Sequence, residues 1–558
     1  MSVAATRRPG RPARLRHVHS ALAPALFAAL ACAMTWPLCI HVGTHLLRGS
    51  ERFATVPLFN LWTLSWNADR LAHGYAGYWD APIFYPSHGA FALSEPQPLT
   101  GLAFAALRLV GPDVVAFNLL QLLVLTANGL AARHMLRVMG ATPPAALAGG
   151  ALAVALPTVL KELGVLQLTL IFPLCMVLAE LYRLWQRARP GAVVRLSLWL
   201  LVVALTCAYH ALFCAVALVL ALLLVRRAHL RRGVLVAVAG CALGGALLLS
   251  PLVLAQREVV SHYTRSDARV EAGSARAADY LRVDRHAVGR HAPWLNRAPG
   301  TRRALYPGSV LLLLGCFGAL LGLRGPRRRF AIYGVVVGLC SLLLSLGPHL
   351  ELWSSSPYDT LLRAHVPGFG QLRSPYRISV FVQLAALALA VPALDALARL
   401  RLRGRALGGA LLAGLALLQL IEVTPIGRGL HRFPEEALHQ PWIAWLKQQP
   451  AGAVAMVPAA ASTDAADYEI TVIGMLQGLE HRHPLANGYS GFFPARSRAV
   501  RLELQRFPSE PCLRYLRELD VRYAVASRAW LSEHHVRGYA KKHLKLAYDD
   551  GTHLVFEL

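Results

Sequence analysis

Charge is scarce in this chain. Only 16% of its 558 residues are charged while 55% are hydrophobic, and the mean hydropathy is +0.44. An ordinary soluble domain carries about 25% charged residues and is excluded. Acid is scarcer still, with 30 Asp and Glu against 57 Lys and Arg, a formal charge of +27. No phosphate-binding glycine loop or nucleotide fold is visible, which argues against a nucleotide-sugar or ATP user. No Asp-x-Asp pair lies in a loop near the membrane, so no divalent metal and no cofactor is implied. Eight of the nine cysteines fall in apolar stretches, where they act as small apolar residues, and Cys512 stands alone in the tail. That leaves neither an internal disulfide outside the membrane nor a zinc spacing. No internal repeat of solenoid period appears.

What the chain has is a series of apolar runs. A spanning helix needs roughly 20 such residues, and runs at 21–41, 113–132, 144–160, 166–184, 195–209, 211–226, 233–254, 307–323, 330–347, 376–399 and 406–423 predict eleven spans. The first run follows a basic segment without a small-residue cleavage pattern before Trp36-Pro37, and reads as a retained anchor. Basic turns at Arg7–Arg16, Arg133–Arg137, Arg183–Arg195, Arg226–Arg232, Arg324–Arg329 and Arg399–Arg405 all fall on one side if every span is real. Because Lys and Arg gather in cytoplasmic loops, the amino terminus is expected inside and the carboxyl terminus outside. Most of the basic charge then faces anionic lipid head groups, and nucleic acid is not expected as a partner. The remainder, notably between Arg257 and Arg303, is available to attract an anionic ligand.

The expected fold class is therefore mainly α: a polytopic membrane protein of about eleven transmembrane helices with a small C-terminal α/β domain. Residues 1–20 form a cytoplasmic basic tail. Residues 21–423 form the membrane domain with external loops 42–98, 255–306 and 348–375, and 424–558 form the external domain. In the first loop Leu58, Leu61, Trp62, Leu64, Ser65 and Trp66 have helical spacing, which predicts an amphipathic helix on the outer leaflet with its tryptophans at head-group level. Leu99–Val110 is too short to span and is expected along the interface or re-entering. In the tail, Trp442–Gln448 and Pro511–Leu519 read as helices, and Ala453–Val457, Val521–Ala526, Leu544–Tyr548 and His553–Leu558 as strands, the last two flanking the turn Asp549-Asp550-Gly551.

Four segments carry a family resemblance: Pro57-Leu58-Phe59-Asn60-Leu61-Trp62, Asp80-Ala81-Pro82-Ile83-Phe84-Tyr85-Pro86, the run Pro367–Arg377 and Asn487-Gly488-Tyr489-Ser490-Gly491-Phe492-Phe493-Pro494. They resemble a poorly characterised bacterial branch of multi-spanning proteins, and more widely the membrane-embedded glycosyltransferases of the C-type fold. Ser274, Asp279 and Tyr280 fit a further element of that branch whose role is not readable. The resemblance covers nearly the whole chain. It implies transfer of a sugar from a polyprenyl-phosphate donor to a glycan, lipid or protein acceptor of the cell envelope, at the periplasmic face of a bacterial inner membrane. It also implies a first-loop aspartate as general base, and where the branch places that aspartate this chain has Val56. Either a neighbouring carboxylate has taken over, or the protein binds a lipid-linked glycan without catalysing, as a non-catalytic or transport-related membrane protein.

Sugar transfer needs a carboxylate to take the proton of the attacking hydroxyl and cations to stabilise a phosphate leaving group. The candidate bases are Asp80, Glu95 and Glu51, with Asp69 read as a solvated ion pair beside Arg70. Asp80 reads equally as a turn cap. The candidate phosphate ligands are Arg373 and Arg377, flanking Ser374-Pro375-Tyr376 at the end of a span, with Arg282 and Arg285 in the second loop. Head-group anchoring and a solvated loop are their structural alternatives. Asn487, Tyr489 and Trp79 are candidates for sugar stacking and hydrogen bonding, and packing of the tail explains them as well. Lys161 and Glu162 are expected to neutralise each other, and His210 to be a satisfied polar cap.

Overall fold

The computed structural model describes residues 13–292, 294–296, 303–352, 355–402, 405–425 and 429–558. Most of the expected basic tail, including Arg7 and Arg8, lies outside the described residues, as do Arg302 of the second loop and Arg403 of the last basic turn.

Each predicted apolar run forms helix. Among the described residues six are long and apolar enough to cross a membrane: Asp113–Val138, Pro143–Lys161, Leu166–Gln186, Arg232–His262, Arg328–Ser345 and Pro375–Ala398. Shorter apolar helices occupy Leu22–Met34, Pro98–Leu107, Pro190–Thr206, Ala208–Leu224, Ser309–Arg324 and Gly408–Val423. At about 1.5 Å per residue, the shortest reach only part of the way across roughly 30 Å of hydrocarbon. Pro157 and Pro173 sit in the first turns of fresh helical segments, where a missing N–H costs nothing.

The basic turns gather at one end of this bundle. Arg183 reaches His134 at 3.0 Å and Arg195 pairs with Glu180 at 3.0 Å. His229 meets the carbonyl of Trp185 at 3.2 Å, and Asp395, beside Arg399, accepts from the backbone N–H of Thr142 at 2.9 Å. The helix Pro143–Lys161 starts at that end. It finishes among the loops, where Ser50 donates to the carbonyl of Lys161 at 2.9 Å.

The tail folds as expected around a four-stranded sheet, in the order Ala453–Val457, Val521–Ser527, His553–Glu557, Lys545–Asp549. The first pair is parallel and the others antiparallel, with Val525 opposite Val555. Gly551 closes the hairpin at φ +88°, while Asp550 accepts from the N–H groups of Thr552 and His553. Helices Glu469–His481 and Ser497–Leu504 are additional to the expected elements.

One expectation needs correction. The helix Thr55–Ala72 does not lie with its tryptophans among head groups. Trp62 is 1% and Trp66 5% exposed, because the helix is sandwiched between Pro98–Leu107 and the tail helix Glu469–His481. Its polar residues are satisfied inside the protein: Asn67 donates to the carbonyls of Thr63 and Pro96 at 2.8 and 2.7 Å. The tail has a core of its own, with Phe507, Leu516 and Phe556 buried, and shares a second core with the first loop, in which Trp62, Phe91, Trp442 and Val472 are buried together. Backbone bonds stitch Phe84 to Asn487, Tyr85 to Leu485 and Phe492 to Leu93, and the strand His45–Leu47 pairs with Leu430–Arg432.

Candidate active site

Where the first loop, the tail and the helix ends meet, a cavity of about 300 Å³ opens. Its floor is apolar, built from Val56, Phe59, Val165, Leu212 and Leu372, and its charged groups are Glu95, Arg265, Arg373 and Arg377. One wall belongs to the helix Arg232–His262 through Gln256, Val259 and Val260. That helix is apolar and exposed along its length, with Leu243, Leu247, Val253 and Leu254 each 60% or more accessible. The cavity therefore borders a surface suited to lipid chains.

Glu95 follows the short helical turn Ala90–Leu93, and Gln256 donates to the carbonyl of its neighbour Ser94 at 3.0 Å. The carboxylate faces the Gln167 amide and the backbone N–H groups of Ala208 and Tyr209, which open the helix Ala208–Leu220. A helix N-terminus favours an anion there. Oε2 is nevertheless buried without a hydrogen-bond partner. Burial raises the Glu95 pKa above the usual carboxylate range, and Arg377, Gln167 and the two N–H groups pull against that rise without cancelling it.

Arg373 sits on the irregular segment leading into the helix Ser379–Leu389. Gly273 makes this placement possible, since a Cβ there would stand 1.8 Å from the Arg373 carbonyl oxygen. Among the described residues the Arg373 guanidinium has no carboxylate or hydrogen-bond partner. Arg265, which the sequence did not single out, stands on the same cavity wall. It donates to the carbonyl of Gly491 at 2.7 Å and lies 3.8 Å over the Phe492 ring. Burial and the nearby Arg373 and Arg269 pull its pKa down to about 10, which leaves it cationic at neutral pH.

Arg377 is more constrained than expected. Its Nη2 lies 3.5 Å from Glu162, whose other oxygen accepts from Lys161 at 3.0 Å and from the Tyr376 hydroxyl. Lys161 also lies 4.1 Å over the Tyr376 ring. Glu162 is only 7% exposed. Burial alone would raise its pKa, but Lys161 and Arg377 outweigh it and hold the group near 2. The expected neutralisation of Lys161 and Glu162 is thus a buried ionic cluster that also fixes Arg377.

The other candidates scatter. Tyr489 joins the cavity, its ring edge-on to Phe59 at 5.2 Å. Val56, at the position where the family resemblance implies an aspartate, lines the cavity floor. Asp80 is 58% exposed and serves the turn, accepting from the N–H of Gly89 at 2.8 Å with His88 at 3.5 Å. Trp79 packs against Tyr78 and Phe91 away from the cavity. Asn487 bonds both the N–H and the carbonyl of Met456, at 2.7 and 3.0 Å, which occupies it in holding the tail together. Glu51, Arg282 and Arg285 line a different cavity. Among the described residues no group of three His, Cys, Asp or Glu is placed to hold a metal ion.

This arrangement of a broken helical bundle, a packed first loop and an α/β tail has close structural parallels. Over 92% of the chain it superposes on the arabinofuranosyltransferase AftD from Mycobacteria, with a TM-score of 0.57 at 17% identity. Over 92% it also matches the oligosaccharyltransferase of Archaeoglobus fulgidus, with a TM-score of 0.51 at 11% identity and 69% of that chain covered. The chain has the C-type glycosyltransferase fold. It spans only 35% of the length of AftD. No protein-family model matches the sequence, and no curated protein is significantly similar to it.

Proposed function

We propose that the protein is an integral-membrane glycosyltransferase of the bacterial inner membrane, moving a sugar from a polyprenyl-phosphate donor to a cell-envelope acceptor on the periplasmic face. The observation that carries this is one apolar cavity holding a carboxylate with a bare buried oxygen, Glu95, together with Arg373, whose guanidinium has no carboxylate or hydrogen-bond partner among the described residues. The lipid-facing helix Arg232–His262 forms the cavity's side. A polyprenyl chain approaches along that helix while its phosphate meets Arg373 and Arg265. An acceptor hydroxyl attacks the anomeric carbon and its proton passes to Glu95. The bond from the anomeric carbon to the phosphate oxygen breaks, and the electron pair leaves on the phosphate, stabilised by the two guanidinium groups. Glu95 suits the base role because a carboxylate with a raised pKa is a stronger proton acceptor once ionised. Arg377, tied to Glu162, orients the wall and supplies field. The basic turns at the opposite end of the bundle support the expected orientation, with the tail periplasmic.

Val56 favours a second reading, a protein that holds a lipid-linked glycan without turning it over. Membranes containing the full chain, supplied with a labelled polyprenyl-phosphate sugar and an envelope extract as acceptor source, separate the two. Transfer that disappears in Glu95→Gln supports the enzyme. Tight lipid binding with no turnover in the unmodified chain supports the second reading.

A further inference from the structure

Besides its charged groups, the cavity around Glu95 is lined by side-chain amides, Asn60, Gln97, Gln167 and Gln371 among them, and their hydrogen bonds fix which end of each amide is used. Asn60 donates through Nδ2 to the carbonyl of Val56 at 3.0 Å. A carbonyl can only accept, so the Asn60 oxygen is the end left to accept, and it takes a hydrogen bond from Gln97 Nε2 at 3.1 Å. This chain of amides ends at Gln97 Oε1, which is buried and meets no donor among the described residues. Gln371 is pinned in the same manner. Its Nε2 donates to the carbonyls of Val260 and Tyr263, both at 3.0 Å, and its buried Oε1 is left over. Gln167 turns its amide N–H to the Glu95 carboxylate, and its Oε1 too is buried without a donor. Flipping any of these amides would set oxygen against oxygen.

Three amide oxygens and Glu95 Oε2, all of them acceptors, therefore belong to residues that line one cavity. A buried acceptor without a donor is costly. At Gln97 a second cost is added. This residue lies between Pro96 and Pro98 in the left-handed region, at φ +51°, where any residue but glycine is strained and one that precedes proline more so. It stands at the start of the helix Pro98–Leu107, yet its side chain makes no cap hydrogen bond to that helix. Strain at a residue two places from a candidate base points to a side chain held there for function.

We propose that Gln97, Gln167 and Gln371 bind the sugar of the donor lipid, and that this sugar is uncharged, with hydroxyls as its polar groups. Hydroxyls supply the protons that the three amide oxygens lack. A uronic acid's carboxylate donates nothing and would place a second negative charge beside Glu95. This sugar site rests on the reading of the cavity as the place of a polyprenyl-phosphate sugar, and it adds which sugars the cavity selects.

The test measures binding to the full chain in lipid nanodiscs. The probes are bare polyprenyl phosphate and polyprenyl phosphates carrying glucose, galactose, mannose, arabinose or glucuronate. At least one neutral sugar should tighten binding about tenfold or more over bare polyprenyl phosphate, and glucuronate should not. That comparison needs no variant. Gln97→Leu and Gln167→Leu nearly keep the side-chain size and remove the acceptor. Each should cut the gain from the neutral sugar about tenfold while bare polyprenyl phosphate binds within about twofold of the unmodified chain; a misfolded variant would lose both. Glucuronate binding as tightly as the neutral sugars, no neutral sugar binding more tightly than bare polyprenyl phosphate, or a gain that survives both substitutions would overturn the proposal. If the gain depends on Gln97 and Gln167 while the unmodified chain transfers no sugar, only the catalytic reading fails.

Discussion

The cavity around Glu95 and the cavity around Arg48 lie on either side of four buried side chains, Lys161, Glu162, Tyr376 and Arg377, and they hold charge differently. In the first, few charges stand on an apolar floor, and one carboxylate oxygen and one guanidinium are left without partners. In the second, arginines of the first and second loops, Arg48, Arg52, Arg282, Arg285 and Arg303, line the space together with Glu51 and Asp284. Isolated, desolvated charges suit a reacting centre, where each interaction is strong and the proton acceptor must be reactive. In the partition one carboxylate, Glu162, meets both Lys161 and Arg377, while the Arg377 Nε stays buried without a hydrogen-bond partner.

The comparison breaks most sharply at Glu95. Glu95→Gln should reduce transfer by about 10²–10⁴-fold while polyprenyl-phosphate binding stays within about twofold. A substitution of equal effect at Glu51 would move the chemistry to the second cavity. Next in size is the partition. Glu162→Gln leaves Lys161 and Arg377 buried without a counter-charge and should cost about 3–5 kcal/mol, read by thermal unfolding. Arg373→Gln should weaken polyprenyl-phosphate binding by about 10–100-fold and leave stability nearly unchanged, because among the described residues its guanidinium holds no partner.

The pH profile sharpens the same contrast. The Glu95 pKa is raised, and only the ionised form accepts a proton. The rate should therefore climb with pH through a value above the ordinary Glu range, and Glu95→Asp should keep an acidic limb that Glu95→Gln loses. The raised pKa has the opposite sign for stability: the folded state favours protonated Glu95, so its contribution is largest at low pH and is lost as pH rises. The smallest effect belongs to Asp80→Ala, where loss of one exposed turn bond should cost at most about 1 kcal/mol and leave transfer intact.

The apolar helices were legible because hydrocarbon demands long apolar runs, and the tail strands because alternation and the Asp-Asp-Gly turn are local signals. The helix Thr55–Ala72 misled because burial between two protein surfaces and burial in an interface both call for Leu and Trp. What separates them is where Asn67 and Ser65 find partners, and those partners, Pro96 and Asp113, are remote in sequence. Glu95 and Arg373 could be named from their places beside Pro96 and within the Pro367–Arg377 run, yet their meeting depends on a packing of first loop, tail and helix ends that no local pattern encodes. Arg265 was hidden in an arginine-dense loop. Arg282 and Arg285 carry the right charge for a phosphate, but charge alone does not say which cavity a loop will line. Asn487 looked like a sugar ligand because a turn beside aromatics is also how a tail strand is fastened.

The most direct measurement is a structure of the full chain with a non-transferable polyprenyl-phosphate sugar analogue. The account predicts the phosphate at hydrogen-bond distance from Arg373 and Arg265, the isoprenoid chain along Arg232–His262, and the anomeric carbon facing Glu95. A phosphate seated instead among Arg48, Arg282 and Arg285, with the Glu95 cavity empty of ligand, would contradict it.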